Sequence, residues 1–175
     1  MASATNVLKL KANEVVLDIE TTGLDPFADR VVAIGLLTEK GEKIILKEDE
    51  KQMLEEFLKL AYDFETIIGW NVIRFDLWFL KIRCLKHNLS IENLKTSRGY
   101  VIDLMNQLFP QDQKWKRLSD VTEAFFGERK DRSGQAIQEA FLNRDFKKIE
   151  EYLREDLKLT NMLFNRTLDC HLINI

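Results

Sequence analysis

Apolar and polar positions alternate in two different ways along the chain: strand-like early, helical later. Val15 to Asp25 (V-V-L-D-I-E-T-T-G-L-D) opens as a short β-branched run and ends at Thr-Thr-Gly, the pattern of a buried strand entering a turn. Arg30 to Thr38 and Lys43 to Lys47 repeat the strand pattern, and the turn Glu39-Lys40-Gly41 between them predicts a hairpin. Met53, Leu54, Phe57, Leu58 and Ala61 recur at helical spacing, so Glu50 to Tyr62 is expected as an amphipathic helix. Thr66 to Trp70 predicts a fourth strand, Phe75 to His87 a second helix, and Tyr100 to Leu104 a fifth strand. From Met105 onward the spacing is helical, with interruptions at Pro110, Gly127 and Gly134. Met1 to Thr5 is small and polar and is expected to be a disordered lead-in.

Short turns between the first three strands imply an antiparallel meander. Strands reached across a helix imply parallel pairing through right-handed crossovers. In that arrangement the first strand can lie mid-sheet beside the fourth, with their C-terminal ends side by side where the winding reverses. Open α/β sheets place ligands there.

Composition narrows this picture. A chain of 175 residues with 45% hydrophobic content supports one sizeable core. Its net charge of −3 provides no global polycation, so any nucleic-acid binding must rest on local basic groups or on metals. Cys84 and Cys170 lie far apart among apolar helical residues and are expected as reduced core thiols. His87 and His171, near helix ends, are expected to be solvated or C-capping. Trp70, Trp78 and Trp115 are expected in the core or half-buried. No stretch has the length of a membrane span and no signal peptide is evident, so a cytoplasmic location is expected.

Candidate chemistry begins in the first strand, where alternation puts Val16, Asp18 and Glu20 on one face. Like charges so close are costly to desolvate unless a cation joins them, and an all-oxygen site suits Mg2+ or Mn2+. Taken alone, so common a pair favours a strand fraying into solvent with both as surface acids. In G-W-N-V-I-R-F-D-L, Asp76 alone is equally a helix N-cap and Asn71 a turn residue. Helical spacing puts Ile149, Tyr152, Leu153, Asp156, Thr160 and Leu163 on one face, with Glu151, Arg154, Glu155 and Lys158 opposite. Asp156, on a core-facing stripe, needs a metal or a hydrogen-bond donor such as an arginine or a backbone amide.

V-L-D-I-E-T-T-G-L, G-W-N-V-I-R-F-D-L and Y-L-R-E-D-L-K-L-T together resemble, in order and separation, the three motifs of DEDD-superfamily 3′–5′ exonucleases. Tyr152, four residues ahead of Asp156, is similar to the tyrosine subclass, above all to the proofreading domain of family B DNA polymerases. The likeness runs from about Glu14 to Phe164 and includes K-R-L-S-D-V-T-E-A-F-F-G-E. It implies a ribonuclease H-like α/β fold, with a five-stranded mixed sheet in the order 3-2-1-4-5 flanked by helices. A single stand-alone exonuclease domain over 1–175 is expected.

By this resemblance Asp18, Glu20, Asp76 and Asp156 hold two divalent ions, Mg2+ or Mn2+, with Asp18 bridging them. Two ions about 3.5–4 Å apart stabilise both the attacking and the leaving oxygen in phosphoryl transfer. Tyr152 orients the attacking water, since a phenol with a pKa of about 10 is a poor base. The implied substrate is the 3′ end of single-stranded nucleic acid, DNA before RNA, and the products are nucleoside 5′-monophosphates. Thr21, Thr22 and Leu24 are expected to line the terminal nucleotide, Leu24 as a wedge, with Asn71 and Phe75 under the penultimate one. Lys114, Lys116, Arg117, Arg129, Lys130 and Arg132 form either a backbone-binding rim or a solvated surface. Asp103 resembles a scaffold position rather than a ligand. An exoribonuclease, an endonuclease of the same fold and a catalytically silent binding module are the alternatives.

Overall fold

Five strands form one mixed sheet in the order β3-β2-β1-β4-β5. They are β1 (Glu14–Thr21), β2 (Val31–Thr38), β3 (Gly41–Ile45), β4 (Thr66–Gly69) and β5 (Tyr100–Asp103). The chain is described here from a computed structural model, over residues 9–92, 94, 100–110, 116–127 and 134–173. The expected lead-in Met1 to Thr5 lies outside these residues, as do Lys114, Trp115, Arg129, Lys130 and Arg132. β1 pairs antiparallel with β2 and parallel with β4, and so occupies the centre of the sheet. The hairpin ladder starts as soon as the turn closes, at Thr38↔Gly41, because Gly41 takes φ 118°. β3 therefore begins before the expected Lys43 and ends at Ile45.

The helices are α1 (Glu50–Ala61), α2 (Asp76–Lys86), α3 (Leu104–Leu108), α4 (Leu118–Phe126), α5 (Gly134–Leu142) and α6 (Phe146–Asp169). Their starts follow from local chemistry. Asp49 caps α1 by accepting from the Gln52 N–H, Asp103 caps α3 through the Asn106 N–H, and Asp145 caps α6 through the Lys148 N–H. Gly134 opens a helix instead of interrupting one. Gly127 ends α4 in the left-handed conformation at φ 71°.

The two faces of β1 feed different cores. Val15, Leu17 and Ile19 pack with Met53, Leu54 and Phe57 of α1 and with Leu77, Phe79 and Leu80 of α2. Val16 packs on the opposite face with Leu157, Leu163 and Phe164 of α6. Beyond Val16 that second face carries Asp18 and Glu20.

Cys84, Trp70 and His87 sit as expected, whereas Cys170 and Trp78 depart from expectation. Cys84 is a core thiol, which burial, with the Glu50 charge adding, pushes up to about 12. Cys170 is exposed because it is the C-cap of α6, past the last buried turn. Trp70 is half-buried and its indole N–H donates to the Lys116 carbonyl, whereas Trp78 stays 42% exposed on the outer face of α2. His87 does C-cap α2, but its Nε2 also lies 2.8 Å from Glu50 Oε2.

Candidate active site

Helix α6 crosses β1 and β2 and brings Asp156 to the face that holds Asp18 and Glu20. One carboxylate oxygen from each of the three lies within 4.8 Å of the others, and all three residues are half-buried. A set of hard oxygen donors this close suits a divalent cation such as Mg2+ or Mn2+, whose charge offsets their mutual repulsion. The donor set fits the expected group.

Gly35 makes the approach of α6 possible. It pairs with Asp18 across the β1–β2 ladder. A Cβ there would stand 2.7 Å from Leu153 Cγ and 2.9 Å from Leu157 Cδ1. The bare backbone lets the helix lie against the sheet at the level of Asp18, and Asp156 sits between those leucines in sequence. Gly35 offers no ligand atom and is missed by any search for candidate chemistry. The available signal was a glycine inside a strand, which marks close approach of another element. A register shift between Glu20 and Thr21 then ends the regular β1–β2 ladder beside the carboxylates.

Asp76 lies outside this trio. It is the first residue of α2, with Phe75 at the N-cap position, so it is not the capping aspartate. Its Oδ1 accepts from the Ile19 N–H at 3.0 Å, and the residue is 2% exposed. Burial pushes its carboxyl up to about 8, against hydrogen bonds from its own N–H and that of Ile19 and helped by the charges of Asp103 and Asp156. Asp103, buried at the end of β5, accepts from the N–H groups of Asn71 (3.1 Å) and Ile73 (3.2 Å). It ties the loop between β4 and α2 to the sheet, a scaffold's task.

The expected substrate contacts lie on two turns, one directly after β1 and one between β4 and α2. Asn71 is buried at φ 55°, and its Oδ1 has no hydrogen-bond partner among the described residues. The Phe75 ring is half-buried, 5.6 Å from Phe79. Thr21 Oγ1 donates to the Gly23 carbonyl, and Thr22 Oγ1 accepts from the Arg30 N–H, so both hydroxyls shape the turn after β1. Leu24, on that turn, is 78% exposed. Tyr152 is buried among Val32, Ala33, Ile149 and Leu153, with Lys148 Nζ 5.8 Å above its ring. Of the expected basic rim, Lys116 lies over Phe109 and Arg117 is exposed.

Comparison with known proteins agrees with this architecture. The family model for the RNase H superfamily matches residues 15–167. A protein of Methanocaldococcus jannaschii, itself uncharacterized, is 34% identical over 174 residues, spanning 91% of this chain and 98% of that one. A DNA polymerase of Archaeoglobus fulgidus is 26% identical over 166 residues, or 84% of this chain and 21% of the polymerase. The solved family B DNA polymerase of Pyrobaculum calidifontis shares the fold with a TM-score of 0.75 at 21% identity, over 90% of this chain and 25% of that one. The chain thus spans a quarter or less of either polymerase. No described helix is long and apolar enough to cross a membrane.

Proposed function

The chain belongs to the RNase H superfamily, and from that premise we propose that it is a metal-dependent 3′–5′ exonuclease. Its substrate is the 3′ end of a single strand, DNA in preference to RNA, and its products are nucleoside 5′-monophosphates. The observation that carries this reading is the meeting of Asp18 and Glu20 from β1 with Asp156 from α6. The likeness of the three motifs to the DEDD tyrosine subclass supplies the directionality, and the fold shared with a family B DNA polymerase supports it.

Asp18, Glu20 and Asp156 would hold the divalent ions, with Asp76 behind them as a further carboxylate. Two such ions supply Lewis-acid stabilisation of the attacking and leaving oxygens and lower the pKa of water. Tyr152, one turn ahead of Asp156, orients the attacking water. Leu24 wedges against the terminal base, while Thr21 and Thr22 set the turn that presents it. Asn71 and Phe75 support the next nucleotide from the α2 side. A single strand suits these contacts because its unstacked bases offer apolar faces. The whole constellation acts as one domain.

The test is digestion of 5′-labelled single-stranded DNA and RNA with Mg2+, Mn2+ or chelator. The expected result is a ladder shortening from the 3′ end, faster on DNA and abolished by chelator. Asp18→Ala and Asp156→Ala each lower the rate by at least about 10²-fold, the scale of losing one preorganised electrostatic stabiliser. Internal cuts, or a wild-type rate that survives both substitutions, would overturn the assignment.

A further inference from the structure

The turn that carries Leu24 is held by a buried ion pair between α1 and α2. Arg83, in the last turn of α2, and Glu50, the first residue of α1, are 5% and 6% exposed. Arg83 Nε donates to Glu50 Oε1 at 2.9 Å and Nη2 to Oε2 at 2.6 Å, a two-pronged geometry. Arg83 Nη1 reaches the Pro26 carbonyl at 3.0 Å, and Lys86 Nζ reaches the next carbonyl, that of Phe27, at 3.1 Å. Glu50 Oε1 also accepts from the Val31 N–H at 2.8 Å, where β2 begins. One buried pair thus grips the turn in its middle and at its exit, and β1 fixes its entrance.

Within the turn, Asp25 and Asp29 complete the frame. Asp29 Oδ2 accepts from the Asp25 N–H and Asp25 Oδ1 from the Phe27 N–H. A Cβ on Gly23 would collide with the Asp29 carboxylate at 2.3 Å. The result is a rigid turn with Leu24 projecting outward at 78% exposure.

Stability alone is a poor account of such a pair. Desolvating two charges costs as much as their attraction returns, and apolar residues of similar volume often serve a fold as well or better. Burial works to raise the Glu50 carboxyl, and hydrogen bonds from Arg83, His87 and the Val31 N–H outweigh it and hold it below the usual range. The pair is therefore ionised, and its spare hydrogen bonds go to the turn. We propose that Glu50 and Arg83 are positioning residues that fix Leu24 against the terminal nucleotide of the substrate, setting how a 3′ end is received. This inference rests on the exonuclease reading above.

Glu50→Met with Arg83→Met removes both charges at similar volume and leaves no lone buried charge. The double variant is compared with wild type, with Leu24→Ala and with all three substitutions combined. The readouts are KM and kcat on 5′-labelled single-stranded DNA with Mn2+, and fluorescence of a 3′-terminal 2-aminopurine bound in chelator. The double variant is expected to keep its circular dichroism spectrum and its kcat within about threefold, and to raise KM about tenfold, which is 1.4 kcal/mol. Leu24→Ala is expected to raise KM and weaken 2-aminopurine binding in the wild-type background and to add nothing in the double variant, the signature of coupled sites. Should the double variant fail to fold, Arg83→Lys keeps the charge but loses the Pro26 contact, and the same Leu24 cycle is read there. Full multiplication of the two effects, or an unchanged KM, would overturn the proposal. A wild type that neither shortens nor binds the strand sinks the exonuclease reading and the inference together, whereas an active wild type with independent effects sinks the inference alone.

Discussion

At the scale of single residues, the carboxylates do different work because their surroundings differ. Asp18, Glu20 and Asp156 are half-buried with carboxylate oxygens close together, whereas Asp76 is fully buried with its Oδ1 on the Ile19 N–H. An acid whose pKa is raised to about 8 keeps its proton more tightly folded than unfolded. Its contribution to metal-free stability is fully present below the ordinary carboxylate value and is lost as pH rises through about 8. In chelator, thermal unfolding of the wild type is therefore expected to fall in midpoint between pH 5 and 9, with Asp76→Asn showing a shallower slope. Equal slopes would show that Asp76 is not the titrating group. Asp18, Glu20 and Asp76 were legible as candidates because strand alternation and a strand-to-helix junction restrict where such side chains point. The burial of Asp76 and its hydrogen bond to Ile19 were not, since they depend on how closely α2 meets β1.

At the scale of elements, the contact between α6 and the sheet decides whether a site exists. Periodicity placed Asp156 on the inward stripe of its helix, and the neighbours Tyr152, Leu153, Leu157 and Thr160 are buried. What periodicity does not contain is the depth at which the helix rides, and Gly35 sets that. Gly35→Ala forces Leu153 and Leu157 to shift, an overpacking cost of about 1–3 kcal/mol. The helix should lift and spread the three carboxylates. Mn2+ affinity by calorimetry is expected to fall about tenfold or more in Gly35→Ala. Asp145→Ala, which removes the α6 N-cap at a cost of about 1 kcal/mol, should leave that affinity unchanged. Equal losses in the two variants would mean that helix stability, rather than its approach to the sheet, governs the site.

At the scale of the molecule, like charges gathered at one face of the sheet make folding and cation binding a single equilibrium. A cation that binds only the folded chain stabilises it by about 2.7 kcal/mol at a hundred times its dissociation constant. Mg2+ or Mn2+ is expected to raise the unfolding midpoint of the wild type, with little effect on Asp18→Ala or Asp156→Ala, in scans against calcium-free chelated controls. An equal rise in all three proteins would place the cation elsewhere. The sequence by itself determined the element order and the meander-plus-crossover pattern that lets β1 lie beside β4, since periodicity, turn chemistry and crossover handedness are local or nearly so. The full sheet order and the set of acids came from the likeness of its three motifs to the DEDD exonucleases. Only the tertiary structure decided that Asp156 meets Asp18 and Glu20 while Asp76 is buried on the Ile19 N–H, that Cys170 is exposed, and that Glu50 and Arg83 meet beneath the Leu24 turn. Those outcomes depend on distances between elements far apart in the chain, which packing sets and periodicity does not record.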